Sequence, residues 1–416
     1  MSRMETTNDA KKRLPDGWRW VKLREVADHI DYGYTASADV EIKTPRFLRI
    51  TDIQDGRVNW ESVPGCAISD ADEDAKRLEG GDIVFARTGA TTGKSYLISN
   101  PPRSVFASYL IRVKSHREHV EPDYLFAFFQ SDGYWEQISA GARGGAQPGF
   151  NATMLKSLRI PLPPVEEQRR IARVLREQMA AVEKARAAAQ ARLEAVKTLP
   201  ASLLRQIFPQ PGQPLPAGWR WVRLGEVCEI NPRRNDIIRP DIEPTSFVPM
   251  EAVDAEKGMI CEVRERPFAD VKKGYTYFEE GDVLFAKITP CMQNGKHAIA
   301  RNLIEGIGFA STEFHVIRPA KGILAEWIHH FVRQPAVLHD ATNHFTGAVG
   351  QQRVPDDFLK SLEIPLPPLD EQRRIAGVLR EQMAAVAKAR ASAEEELQTI
   401  SALPAALLCR AFNGEL

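Results

Sequence analysis

Two stretches of this sequence carry residue types suited to gripping phosphate: RTGATTGKS at residues 87–95 and KITPCMQNGKH at residues 287–297. A nucleotide-binding P-loop needs four residues between its glycines, so that successive N–H groups face the anion and a following Lys reaches it. Gly89 and Gly93 enclose three, and the second stretch lacks the first glycine. Nucleotide hydrolysis is therefore not indicated. What the two stretches share is a basic residue leaving a short apolar run, Arg87 or Lys287, and a later Gly-Lys, Gly93-Lys94 or Gly295-Lys296. A loop of small and polar residues ending in Lys can come close to a DNA backbone or to base edges. Arg87, Thr88, Thr91, Thr92 and Lys94 are thus candidate DNA contacts, as are Lys287, Thr289, Gln293, Asn294 and Lys296. The competing reading is a solvated hairpin.

A second pair of loops is richer in side chains that read bases. GARGGAQPGFN at residues 141–151 offers Arg143, Gln147 and Asn151, and TGAVGQQR at residues 346–353 offers Gln351, Gln352 and Arg353. Arg pairs with guanine, and Gln or Asn with adenine, through paired hydrogen bonds in the major groove. Loops in corresponding places with different side chains suit two readers of two different sequences.

Other chemistries find little support. Pro15-Asp16 followed by Glu41-Ile-Lys43, and Pro240-Asp241 followed by Asp270-Val-Lys272, imitate nuclease spacing loosely, and Asp16 gives way to Ala217 at the matching place in the second half of the chain. No glycine-rich loop for a dinucleotide or S-adenosylmethionine opens a helix, and NPRR at Asn231 is only a fragment of a base-methylation site. Five cysteines, at 66, 228, 261, 291 and 409, form no C-x-x-C pair, and the nine histidines offer only His329-His330 and Cys291/His297 as loose metal candidates. No metal site and no catalytic residue is expected. With 55 basic and 55 acidic residues, the chain is not one that coats nucleic acid by charge alone. It has no run of eighteen apolar residues and no secretory signal, so a cytoplasmic protein is expected.

The elements that must position these loops come in duplicate. IPLPPVEEQRRIARVLREQMAAVEKARAAA at residues 160–189 returns at 364–393, differing at five positions. LPDGWRWVKLREV at residue 14 is answered by LPAGWRWVRLGEV at 215, and LEGGDIVFARTG at 78 by FEEGDVLFAKIT at 278. A unit of about 200 residues is too long for a solenoid repeat and fits a duplicated domain.

The repeated stretch reads as helix. Prolines 161, 163 and 164 forbid helix before Val165, and Glu166-Glu167 suit the positive end of a helix dipole. Ile171, Leu175, Met179 and Val182, matched by Ile375, Leu379, Met383 and Val386, recur at spacings of three and four and form one apolar stripe. Pro200 is expected to kink or restart the helix, leaving a short second piece. Two equal striped helices most simply pair with each other, and a two-fold relation would make them antiparallel. About 35 to 40 helical residues span roughly 55 to 60 Å.

The heads read as mixed helix and strand, with buried strands at residues 83–86 and 283–286, each after a Gly-Asp turn, and buried helices at 124–129 and 327–332. Trp18, Trp20, Trp219 and Trp221 read as strand core rather than as base-stacking platforms. The expected architecture is α+β: a tail at 1–13, a head at 14–160, a helix at 161–210, a second head at 211–364 and a second helix at 365–416.

This layout closely resembles the specificity subunit of type I restriction-modification systems. The resemblance covers residues 14–416 and rests on IPLPPVEEQRRIARVL, IPLPPLDEQRRIAGVL, GWRWVKL and GDVLFAKITPCMQNGK in combination. It implies two target recognition domains reading the halves of a split double-stranded DNA sequence. It also implies an antiparallel coiled coil with pseudo-two-fold symmetry that sets the gap between half-sites. Two methyltransferase subunits would dock there, with restriction subunits beyond them. The resemblance places S-adenosylmethionine, ATP and Mg in those partners and no cofactor in this chain. The alternatives are a self-contained methyltransferase or nuclease, and a coiled-coil scaffold with no DNA role. Zero net charge leads us to expect weak DNA binding by the isolated chain.

Overall fold

The strand that follows each Gly-Trp turn returns to the stretch that precedes each long helix. In the computed structural model, which describes residues 14–54, 56–142, 150–233, 237–348 and 351–416, Arg19–Lys22 pairs antiparallel with Arg159–Leu162, Trp20 opposite Pro161. Arg220–Arg223 pairs the same way with Glu363–Leu366, Trp221 opposite Pro365. Two-stranded ribbons tolerate these prolines because each strand has a free edge where the missing N–H costs nothing. The ribbons close each head and deliver the chain to its helix. Val21 takes the inward place in the first ribbon, so alternation turns Trp20 outward, 37% exposed. The expectation that Trp20 packs in the core is thereby corrected, while Trp18, just before the strand, does pack against it.

The chain forms two compact units, one made of Met1–Gln190 with Glu395–Leu416, the other of Ala191–Glu394. Each therefore combines a head with the start of one long helix and the end of the other. In the first unit a four-stranded antiparallel sheet runs Ala27–Tyr32, Leu110–Ser115, Ile83–Ala86, Ser95–Leu97. The second unit repeats it as Cys228–Ile230, Phe314–Pro319, Val283–Ala286, His297–Ile299. The strands Ile83–Ala86 and Val283–Ala286 are buried throughout, as a near-continuous apolar run requires. The second unit adds a sheet of Arg264–Pro267, Pro244–Val248, Ile307–Ala310 and Thr276–Glu279. The first unit has in its place the parallel pair Arg46–Leu48 and Ser104–Phe106.

The long helices are Val165–Ile207 and Leu369–Phe412. Pro200 does not restart the first helix as a short second piece, and each helix runs on past its proline, Pro200 or Pro404. One lost backbone bond is outweighed by the burial of side chains in the next turns: Leu204 and Phe208 lie in the second unit's core, and Leu408 and Ala411 in the first unit's. Burying such side chains is worth about 1.5–3 kcal/mol each, against about 3 kcal/mol for an interior proline. Ile171 and Leu175 share the first core with Leu408, and Ile375 and Leu379 share the second with Leu204. In each unit the two helix segments thus run antiparallel, start beside end. Val182 is buried, and Met179, Met383 and Val386 are half-buried. Among the described residues no helix is long and apolar enough to cross a membrane.

Candidate nucleic-acid interface

In the second unit the two candidate loops are stitched together. The strand Val283–Ala286 ends at Lys287, whose N–H donates to the Glu313 carbonyl (2.9 Å) and whose carbonyl accepts from the Val354 N–H (2.9 Å). Thr289 N–H donates to the Gln352 carbonyl at 3.0 Å, and Ile288 forms a β-bridge with Arg353. Residues 287–296 and 346–353 therefore meet along their edges, although sequence spacing gave no sign that they touch.

Within this surface the side chains divide by role. Arg353 presents a fork to Glu313, Nε to Oε2 at 2.8 Å and Nη2 to Oε1 at 2.7 Å, and Nη1 donates to the Gln351 carbonyl at 2.9 Å. The arginine in turn holds the Glu313 carboxyl below the usual carboxylate range. Lys296 Nζ donates to the Met250 carbonyl at 3.0 Å, and burial lowers the pKa of Lys287 while Glu313 opposes that shift. Arg353 and Lys296 thus brace the loops. Gln293, Asn294 and Gln351 are exposed, and Thr289 and Gln352 are half-buried. The outward chemistry is that of amide side chains, which offer the paired donor and acceptor that adenine accepts.

The first unit shows the same strand exit with different fittings. Ala86 N–H donates to the Lys94 carbonyl (2.9 Å) and Gly93 N–H to the Ala86 carbonyl (2.8 Å), closing residues 87–93 into a loop. Gly93 has φ +83°, which favours glycine, and a Cβ there would press on the Trp135 ring at 3.2 Å. Tyr134 Oη donates to the Gly93 carbonyl at 2.6 Å. Thr92 Oγ1 donates to the Gly89 carbonyl at 2.7 Å. Arg87, Thr88 and Lys94 are exposed, and Thr91 and Thr92 are half-buried. The Arg87 guanidinium lies 4.9 Å from the Tyr32 ring centre, a cation–π contact made by an exposed side chain. A strand, Ser95–Leu97, follows the loop where a P-loop requires a helix. Arg143 and Gln147 lie outside the described residues. Asn151 accepts from the Met154 N–H at 2.9 Å and caps the helix Ala152–Ser157.

The nuclease-like spacings resolve into structural ties. Lys272 pairs with Asp241, and Lys43 donates to the Val40 carbonyl at 2.7 Å. Among the described residues, the one grouping of three possible metal-ligand side chains is His116, Glu118 and His119 on a turn, a set that sequence reading passed over. Sequence reading also missed Glu313, which organises Arg353, and the glutamine of each EEQRR or DEQRR motif. Gln168 is buried, accepting from the Glu121 N–H (2.9 Å) and donating to the His119 (3.1 Å) and Pro163 (2.9 Å) carbonyls. Gln372 repeats this with Leu324, Gly322 and Pro367. The signal was present as identity between the copies, but not the reason for it.

The fold is thus a tandem pair of α+β units on two long helices, each unit presenting a braced polar loop. Residues 15–190 and 216–390 match the type I restriction modification DNA specificity domain, and the chain belongs to that family. The specificity subunit of the Escherichia coli type I restriction enzyme EcoAI is 41% identical over 162 residues, covering 39% of this chain and 27% of that one. The chain therefore spans little more than a quarter of that relative's length. The putative type I restriction enzyme MjaX specificity subunit of Methanocaldococcus jannaschii is 24% identical over 394 residues, 88% of this chain and 87% of that one. A chain solved in work on the complex assembly and conformational transition of the type I R-M system superposes with a TM-score of 0.72 at 25% identity. The match covers 97% of this chain and 100% of that one.

Proposed function

We propose that this chain is the sequence-reading subunit of a type I restriction-modification assembly. Each unit reads one half of a split double-stranded DNA target. Two methyltransferase subunits dock on the long helices and restriction subunits join them. The chain itself is non-catalytic. Adenine methylation with S-adenosylmethionine and ATP- and Mg-dependent cleavage belong to the partners, and the assembly works in the cytoplasm. The observation that carries this reading is the pairing of residues 287–289 with 352–354, which gathers Gln293, Asn294, Gln351 and Gln352 on one loop surface. In the duplicated unit the same strand exit carries Arg87, Thr88 and Lys94 instead. A shared frame with unlike outward side chains is what two different half-sites call for.

With a net charge of zero, phosphate neutralisation must come largely from the partners. The test is co-expression with a methyltransferase subunit followed by genome-wide mapping of methylated adenines. A split motif with a fixed gap is expected. A continuous motif, or none from a stable complex, rules the reading out.

A further inference from the structure

Arg333 caps the helix Ala325–Val332 and turns its guanidinium inward. Nη1 donates to the Gly295 carbonyl at 2.6 Å and to the His297 carbonyl at 3.4 Å; Nη2 donates to the Ala255 carbonyl at 2.8 Å and the Glu256 carbonyl at 2.9 Å. One arm therefore grips the end of the loop that carries Gln293 and Asn294. The other grips the turn of the hairpin Val253–Asp254, Met259–Ile260. That turn is shaped around the guanidinium: a Cβ on Gly258 would lie 2.6 Å from its central carbon. Glu256 then pairs with Arg390 of the second long helix at 2.6 Å. No carboxylate among the described residues pairs with Arg333, and burial lowers its pKa, with Asp254 the acidic group favouring its charge. A half-buried cation satisfied only by carbonyls is a poor device for stability, since an apolar group of the same size often does as well. A planar fork that fixes two turns at once is a good device for geometry.

The same position is used in the other unit. Gln130 follows the equivalent helix, Pro122–Phe128, and its Nε2 donates to Ser95 Oγ at 2.8 Å. Ser95 follows Gly93-Lys94 as His297 follows Gly295-Lys296. Two unlike side chains at one place in the repeat thus reach the same point, the closing end of the candidate DNA loop.

We infer that Arg333 and Gln130 are positioning residues for DNA sequence readout, each setting the shape of its own unit's loop without touching DNA. The inference rests on the sequence-reading function proposed for the chain. In the complex with a methyltransferase subunit, R333M keeps the bulk and removes both arms. One half of the methylated motif should degenerate, discrimination at one or more of its positions falling about tenfold or more, while the other half stays intact. Q130L should degenerate the opposite half, and it decides the matter should R333M fail to assemble. Unchanged motifs, or a uniform fall in methylation with both halves intact, would mean a merely structural role and overturn the inference. A wild-type complex that gives no split motif overturns the function reading instead, and the inference with it.

Discussion

Residue types in a sequence do not announce the partners each side chain takes within the fold. Arg353, a candidate guanine contact, is forked to Glu313, forty residues upstream in the turn before the strand Phe314–Pro319. Spacing cannot reveal a partner that arrives through the sheet, whereas Gln293 and Asn294, on a polar loop with no strand to join, could be placed outward from sequence alone. Titratable groups give a prediction at this scale. Burial, aided by Arg333, pushes His297 well below its ordinary pKa and His329 down to about 3; burial also pushes His330 down to about 4. All three belong to the second unit. Folded, they stay neutral; unfolded, they protonate below about 6.5. Their contribution is complete above about pH 6.5 and is lost as pH falls towards the folded values, by up to about 1.4 kcal/mol per pH unit for each. Between about pH 6.5 and about pH 5, amide exchange in Val283–Ala286 should accelerate before that in Ile83–Ala86, and H329Q should remove about a third of the slope. Equal loss of protection in both strands would refute this.

At the level of elements, the apolar stripe predicted the helices and their buried faces, and the helices run on past their prolines because propensity weighs one bond while the core weighs whole side chains. What sequence could not supply was the joint between head and helix. Gln372, 1% exposed, makes three hydrogen bonds there, to the Leu324 N–H and to the Gly322 and Pro367 carbonyls. Replacing it by leucine leaves buried backbone groups without partners, at about 1–3 kcal/mol apiece. We expect Q372L to lower unfolding free energy by about 3 kcal/mol or more in urea titration, and Q168L to act equally on the first unit. Q372E keeps the acceptor but exchanges a donor for a buried carboxyl, and should be no better tolerated. A loss under about 0.5 kcal/mol in both leucine variants, the level of an ordinary surface substitution, would show that the joint is held by the ribbon alone.

Over the whole molecule, duplication was the most legible feature of the sequence, and its consequence for packing the least. Reading head, helix, head, helix suggests that each helix belongs to the head before it. The compact units are divided otherwise: the first takes Glu395–Leu416 from the far end of the chain. Leu408 and Ala411 lie in its core beside Ile171 and Leu175, Phe412 packs on Tyr124 with ring centres 5.4 Å apart, and Arg170 donates to the Leu416 main-chain oxygen. Removing residues 395–416 therefore strips the core of a head that begins nearly four hundred residues earlier. Leu408 alone stands for about 1.5–3 kcal/mol of buried apolar surface, and Ala411 and the half-buried Phe412 add to it, a large share of the stability of an ordinary domain. Amide exchange on the truncated chain should rise throughout Arg19–Lys22, Arg159–Leu162 and Pro122–Phe128, while Arg220–Arg223 and Ala325–Val332, whose core draws on Leu204 and Phe208 instead, keep their protection. Protection lost in the second unit, or in neither, would mean that the antiparallel exchange of helix ends does not carry the stability of the heads.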